Sequence, residues 1–196
     1  MVELAVFVYL AKFNVYFTLK CLALSVFNLK IISMQSIQIQ KLTRENFAAF
    51  GEVISCHEQD FFHINDAHTE RYHALVETEI SGNAKAGISI FRNIKATSLP
   101  VKISLLERHP QGSQAFIPMQ GQAFLVVVAK ALNPQQPDLN QIYAFITDGN
   151  QGVNYRAGTW HHPLLSFEAP STFAVVDRIG DGHNCDVYHF SEIQIT

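Results

Sequence analysis

The chain has 196 residues, 48% of them apolar, with a formal net charge of −3. That length suffices for one domain with a sizeable core, and the slight acidic balance gives no reason to expect nucleic acid or an anionic membrane as partner. Cys21, Cys56 and Cys185 are an odd, widely spaced set without zinc-ribbon or redox spacing, which reads as reduced thiols in a cytoplasmic protein.

Residues 1–33 differ in character from the rest. They are dense in Val, Leu, Phe and Ile, but Lys12, Lys20 and Lys30 interrupt every run before it reaches the ~20 residues of a membrane span. Glu3 stands where a signal peptide needs a basic start, and no small-residue cleavage site follows. Met34 is expected to be the natural start, with residues 1–33 an upstream extension and 34–196 a single catalytic domain.

After Met34 a short strand carries Ile37 and Ile39. Thr43 is placed to cap a short helix that Gly51 would end. Strands are then predicted over 87–92, 101–105, 123–129, 142–146, 172–176 and 187–190, separated by turns at 133–138, 148–150 and 180–182. Short strands at this spacing predict a mainly all-β domain, a sandwich or barrel with a few short helices. His57, His63, His68 and His73 fall in a segment that reads as a solvated excursion.

Two stretches carry chemistry. In the first, Val101, Ile103, Leu105, Glu107 and His109 share one parity, so an apolar inner face would continue into a carboxylate and an imidazole. The same parity argument groups Ile88, Ile90 and Arg92 and would put a guanidinium inside the pocket. In the second, Arg156-Ala-Gly158-Thr-Trp-His161 places a histidine after a turn glycine. Adjacent side chains on a strand point to opposite faces, so at most one of His161 and His162 can enter a given pocket. Each residue also has an ordinary reading: a turn histidine is often structural, Gln114 a loop hydrogen-bonder, Arg92 a surface cation and Trp160 core packing.

Glu107-x-His109, four residues, Gln114, six residues, Gly121 follows the spacing of the first cupin motif. Gly158-Thr-Trp-His161 keeps the glycine and histidine of the second, and that place in the motif implies that His161 is the inward candidate, with His162 facing packing or the rim. The chain therefore resembles the cupins, double-stranded β-helix barrels, although Glu107 and Gln114 stand where His and Glu are usual and Arg156 stands where Pro is. The wording of Glu107-Arg-His-Pro-Gln-Gly-Ser-Gln-Ala-Phe-Ile-Pro118, Gly152-Val-Asn-Tyr-Arg-Ala-Gly-Thr-Trp-His-His-Pro163, Val176-Asp-Arg178, Asn184-Cys-Asp186 and Arg71-Tyr-His73 is similar to the ureidoglycolate lyase family, from about Met34 to the C-terminus.

That resemblance implies cleavage of (S)-ureidoglycolate to glyoxylate and urea in allantoin breakdown, a homodimer, and nickel as the cofactor. The expected acid/base residues are His161, His109 and Glu107. Glu107, His109, Gln114 and His161 are the expected ligands of a divalent metal. Arg92 is the expected carboxylate clamp, with Asn154 and Tyr155 hydrogen-bonding the urea. An ammonia-releasing amidohydrolase on the same substrate and a non-catalytic cupin that binds a small carboxylic acid remain open alternatives.

Overall fold

The computed structural model describes residues 36–196. The expected extension, residues 1–33, and Cys21 lie outside the described residues. The elements in chain order are β1 (Ser36–Ile37), β2 (Ile39–Lys41), α1 (Arg44–Phe47), β3 (Gly51–Ile54), β4 (Phe62–Ile64), β5 (Thr69–Arg71), β6 (Lys85–Asn93), β7 (Val101–Arg108), β8 (Gln114–Pro118), β9 (Phe124–Asn133), β10 (Gln136–Ile146), β11 (Gly152–Tyr155), β12 (Trp160–His161), β13 (Leu165–Ser166), β14 (Ser171–Ile179) and β15 (Asp186–Ile195). Among the described residues α1 is the only helix. Thr43 caps it as expected, in a reciprocal box with Asn46. Gly51 does not end it. Gly51 opens β3, where a Cβ would collide with the Asn154 carbonyl, so the position requires glycine because two backbones meet there.

The larger sheet runs β1-β15-β7-β12-β9-β10-β2. Its two edges, β1 and β2, are consecutive in sequence and pair in parallel with β15 and β10. Ile39 N–H donates to the Thr196 carbonyl and Thr196 N–H to the Ile37 carbonyl, both at 2.9 Å, so the sheet nearly closes on itself. A smaller sheet, β3-β11-β8-β14-β6, packs beside it, and β4-β5 is a separate hairpin. The result is a mainly all-β, cupin-like barrel.

Alternation along β9 builds two cores. Phe124, Val126 and Val128 face the smaller sheet and meet Phe116, Val153, Phe173 and Val175. Leu125, Val127 and Ala129 face the other way and meet Ile103, Leu106, Trp160 and Ile195. Helix α1 closes the first core with Phe47. Burying each such side chain stabilises by roughly 1.5–3 kcal/mol.

The parity expected along β7 does not hold through its length. Ile103 and Leu106 belong to the same core, so the alternation slips by one residue between them. The pairing with β15 is irregular in the same place, between His189 and Ile193. That slip turns Glu107 to the face opposite Ile103, the face shared with the smaller sheet.

Candidate active site

The second motif is held under the first by backbone. Gly158 has φ +80°, a left-handed conformation that favours glycine, and its N–H donates to the His109 carbonyl at 2.8 Å. The chain then re-enters the larger sheet as β12, between β7 and β9, with His161 opposite both Glu107 and Val128. Directly opposed residues share a face. His161 and Glu107 therefore both look toward the smaller sheet, at one end of the core that Val128 lines. Trp160 points the other way into the second core, beneath the Arg108 guanidinium at 4.7 Å.

Three side chains converge here. His161 Nε2 lies 3.7 Å from Glu107 Oε1. The His109 and His161 ring centroids are 5.3 Å apart. One donor atom from each of Glu107, His109 and His161 fits within a set spanning 4.8 Å. His109 Nδ1–H donates to the Asn184 carbonyl at 2.7 Å and His161 Nδ1–H to the Thr159 carbonyl at 2.9 Å. A carbonyl only accepts, so in the neutral form of each ring these bonds fix the tautomer and leave Nε2 as a lone pair. Both Nε2 atoms are buried without a hydrogen-bond partner. Two lone pairs oriented by backbone carbonyls, facing a carboxylate, could hold a divalent cation.

Burial governs the charges. His161 is 2% exposed, and desolvation lowers its pKa from 6.5 to about 3, so it is a neutral imidazole. Burial pushes the Glu107 carboxyl above its ordinary value, while the charge of His109 pulls it back. Burial, with the charge of Glu107 added, raises Tyr155, so its phenol stays protonated. The Tyr155 ring lies against His161, with centroids 4.2 Å apart and planes 9° apart. His162 is half-buried at the rim, its N–H bonded to the Val127 carbonyl at 2.9 Å.

The structure separates the other expected site residues. Gln114, opposite Tyr155 on β8, is buried beside the site. Asn154, next to Tyr155, points to the opposite face of the smaller sheet. There its amide nitrogen donates to Glu52 Oε2 at 3.0 Å and to the Glu77 carbonyl at 3.3 Å. Arg92 stays with Ile88 and Ile90 on one face of β6, as the parity argument has it, but that face is the outer one, and Arg92 is exposed. The inward residue of this stretch is Phe91, opposite Phe173 and edge-on to Phe116. Four exposed histidines, His57, His63, His68 and His73, lie on or beside the β4-β5 hairpin. Asp177, absent from the expected set, joins Gln114 through a bond of 3.3 Å. The Asn184 and Thr159 carbonyls that orient the imidazoles carry no side-chain signal in sequence.

The family model for ureidoglycolate lyase matches residues 34–196. A ureidoglycolate lyase of Pseudomonas savastanoi pv. phaseolicola is 48% identical over 163 residues, 83% of this chain and 94% of the relative. One of Pseudomonas aeruginosa is 48% identical over 160 residues, 81% of this chain and 93% of the relative. A solved 3,4-ketoisomerase from Helicobacter canadensis aligns with a TM-score of 0.38 and 14% identity, over 67% of this chain and 85% of that chain. With the family model spanning both motif stretches and relatives near half identity over most of their length, this chain belongs to the ureidoglycolate lyase family.

Proposed function

We propose that this chain cleaves ureidoglycolate to glyoxylate and urea, with Glu107, His109 and His161 as the reaction centre. The observation that carries the reading is the pair of buried, unpartnered Nε2 lone pairs facing Glu107 in a family member. The substrate carbon bears a hydroxyl, a carboxylate and the ureido nitrogen. The hydroxyl proton leaves, the C–N bond breaks as the carbonyl forms, and a proton joins the departing nitrogen. Neither water nor a nucleophile is consumed.

Glu107, His109 and His161 would hold a divalent cation, which when bound supplies Lewis-acid polarisation to the substrate hydroxyl and carboxylate. Imidazole and carboxylate donors suit nickel, zinc or manganese, and the family resemblance favours nickel. Glu107 Oε1 faces His161, which leaves Oε2 to take the hydroxyl proton and return it to the urea nitrogen; such transfer contributes about 10²–10⁴-fold. Tyr155, protonated and in the field of Glu107, donates its phenolic hydrogen to the bound substrate. Arg92 and Asn154 face away from this centre, so neither is positioned to hold the substrate carboxylate within this chain.

We place the catalytic domain at 34–196, the span of the family match, in the cytoplasm. No helix among the described residues is long and apolar enough to cross a membrane. We infer a homodimer, supported by an exposed apolar row on the smaller sheet in which Ile88 is 80% and Ile90 59% exposed. Size-exclusion chromatography with light scattering tests the dimer, and a monomer at micromolar concentration overturns it.

The reaction itself is tested by incubating the purified chain with racemic ureidoglycolate, with and without chelator, and scoring products. Glyoxylate and urea in equal amounts without ammonia support the lyase. Ammonia in place of urea identifies the amidohydrolase alternative, and tight binding without turnover the binding module.

A further inference from the structure

The smaller sheet carries a second polar feature at the same end of the core. Gln114 stands opposite Tyr155 across β8 and β11. Between β8 and β14, Phe116 opposes Val175 and Ala115 opposes Val176. Continuing that register by one residue puts Asp177 opposite Gln114, and Gln114 Nε2 donates to Asp177 Oδ2 at 3.3 Å. All three side chains share the face of Phe116, Val153 and Val175, and they form the row that ends the apolar core.

This arrangement fixes which way the amide faces. A carboxylate only accepts, so the Gln114 nitrogen turns to Asp177 and its oxygen turns away. Gln114 is 6% exposed, and its Oε1 is buried with no hydrogen-bond partner. A buried carbonyl without a donor carries a desolvation penalty that a ligand's N–H can relieve. The core row below it is Phe116, Val153 and Val175, which offers no side-chain donor. Its neighbour on the other side, across β11, is Tyr155, and His161 lies against that ring.

We propose that Gln114 Oε1 is the acceptor for the ureido N–H groups of the substrate, and that Asp177 is a positioning residue that holds the amide in this orientation. This rests on the lyase reading and deepens it. Gln114 then serves the ureido group rather than the cation. The site selects a 2-hydroxy acid that carries a carbamoyl-amino substituent over a 2-hydroxy or 2-oxo acid of similar size that lacks one, because a substrate without N–H leaves the acceptor unpaired.

The test compares the wild type, Gln114→Met, Asp177→Ala and Asp177→Asn. It measures KM and kcat for ureidoglycolate, calorimetric affinity for glyoxylate, which lacks the ureido group, and bound nickel per chain. Wild-type turnover reports on the lyase reading by itself, and the contrast between ligands reports on Gln114. Gln114→Met raises KM for ureidoglycolate about tenfold, while glyoxylate affinity and nickel content stay within twofold of wild type. Asp177→Ala shifts KM the same way by a smaller factor, and Asp177→Asn, whose amide oxygen still accepts from Gln114, recovers most of it. Should Gln114→Met not fold, Asp177→Ala and Asp177→Asn carry the same contrast. Equal losses for both ligands, or loss of nickel in Gln114→Met, overturns the proposal by making Gln114 a ligand of the cation. An unchanged KM in both Gln114→Met and Asp177→Ala overturns it too.

Discussion

The phenol ring of Tyr155 lies flat on the imidazole of His161, 4.2 Å between centroids, and the two come from different sheets. Tyr155 ends β11 of the smaller sheet and His161 ends β12 of the larger one. Their stack fixes the His161 ring from one side while the Thr159 carbonyl fixes its tautomer. The Tyr155 hydroxyl makes no hydrogen bond to the described residues, which leaves it free to meet a ligand. Tyr155→Phe keeps the stack and removes only that group. We expect a melting temperature within about 2 °C of wild type and a kcat/KM about tenfold lower, consistent with one hydrogen bond lost. A kcat/KM equal to wild type removes the phenol from the reaction.

The buried His161 makes the metal-free protein sensitive to acid. Its folded pKa of about 3 lies below the ordinary 6.5. The unfolded chain therefore gains a proton over that window while the folded chain does not, so stability is full above pH 6.5 and is lost as pH falls towards about 3. The loss is on the order of a few kcal/mol, at about 1.4 kcal/mol per unit. His162, lowered by burial, acts in the same direction. Thermal melts of chelated protein between pH 7 and 4 show this slope, and His161→Gln flattens it. An equal slope in the variant assigns the acid sensitivity elsewhere.

Glu107 has the opposite sign. Its folded pKa is raised by burial, so stability falls as pH rises from the ordinary value of 4.5 through the folded one, and the ionised carboxylate destabilises the metal-free fold at pH 7. Glu107→Gln removes that penalty together with the proton carrier. A higher melting temperature in the metal-free variant is expected, together with a kcat/KM lower by about 10²–10⁴. A variant as active as wild type contradicts the assignment of Glu107.

Much of this centre is legible in the sequence, for unequal reasons. The strand runs, the Thr43 cap and the pairing of Glu107-x-His109 with Gly158-Thr-Trp-His161 follow from alternation, turn glycines and motif spacing. Glu107 reaches the site, but not by unbroken parity from Ile103: the slip before Leu106 reverses the face, and an irregularity set by the pairing of β7 with β15 has no local sequence signature. Arg92 shows the complementary limit. Parity groups it with Ile88 and Ile90, yet which face of β6 turns inward is decided by the neighbour β14, where Phe173 selects Phe91. Asn154 and Tyr155 are adjacent, so a strand can present only one of them to the site. Gln114 has no nearby signal for Asp177, because their contact joins residues 63 apart.

On the proposed reading, the imidazole pair and Glu107 are expected to take up a cation without substrate. Calorimetry of chelated protein with nickel is expected to give one ion per chain and a higher melting temperature, since a ligand of the folded state stabilises it by mass action. His109→Ala removes one of three donors and weakens binding at least tenfold. Stoichiometric binding of equal strength in that variant places the ion elsewhere.

The most direct measurement of the central claim is kcat/KM for ureidoglycolate in His161→Ala, with folding verified by circular dichroism. Loss of 10²-fold or more in a folded variant is the predicted result, because His161 is the buried lone pair that Glu107, His109 and Tyr155 surround. A folded His161→Ala protein that produces glyoxylate and urea at the wild-type kcat/KM contradicts the account.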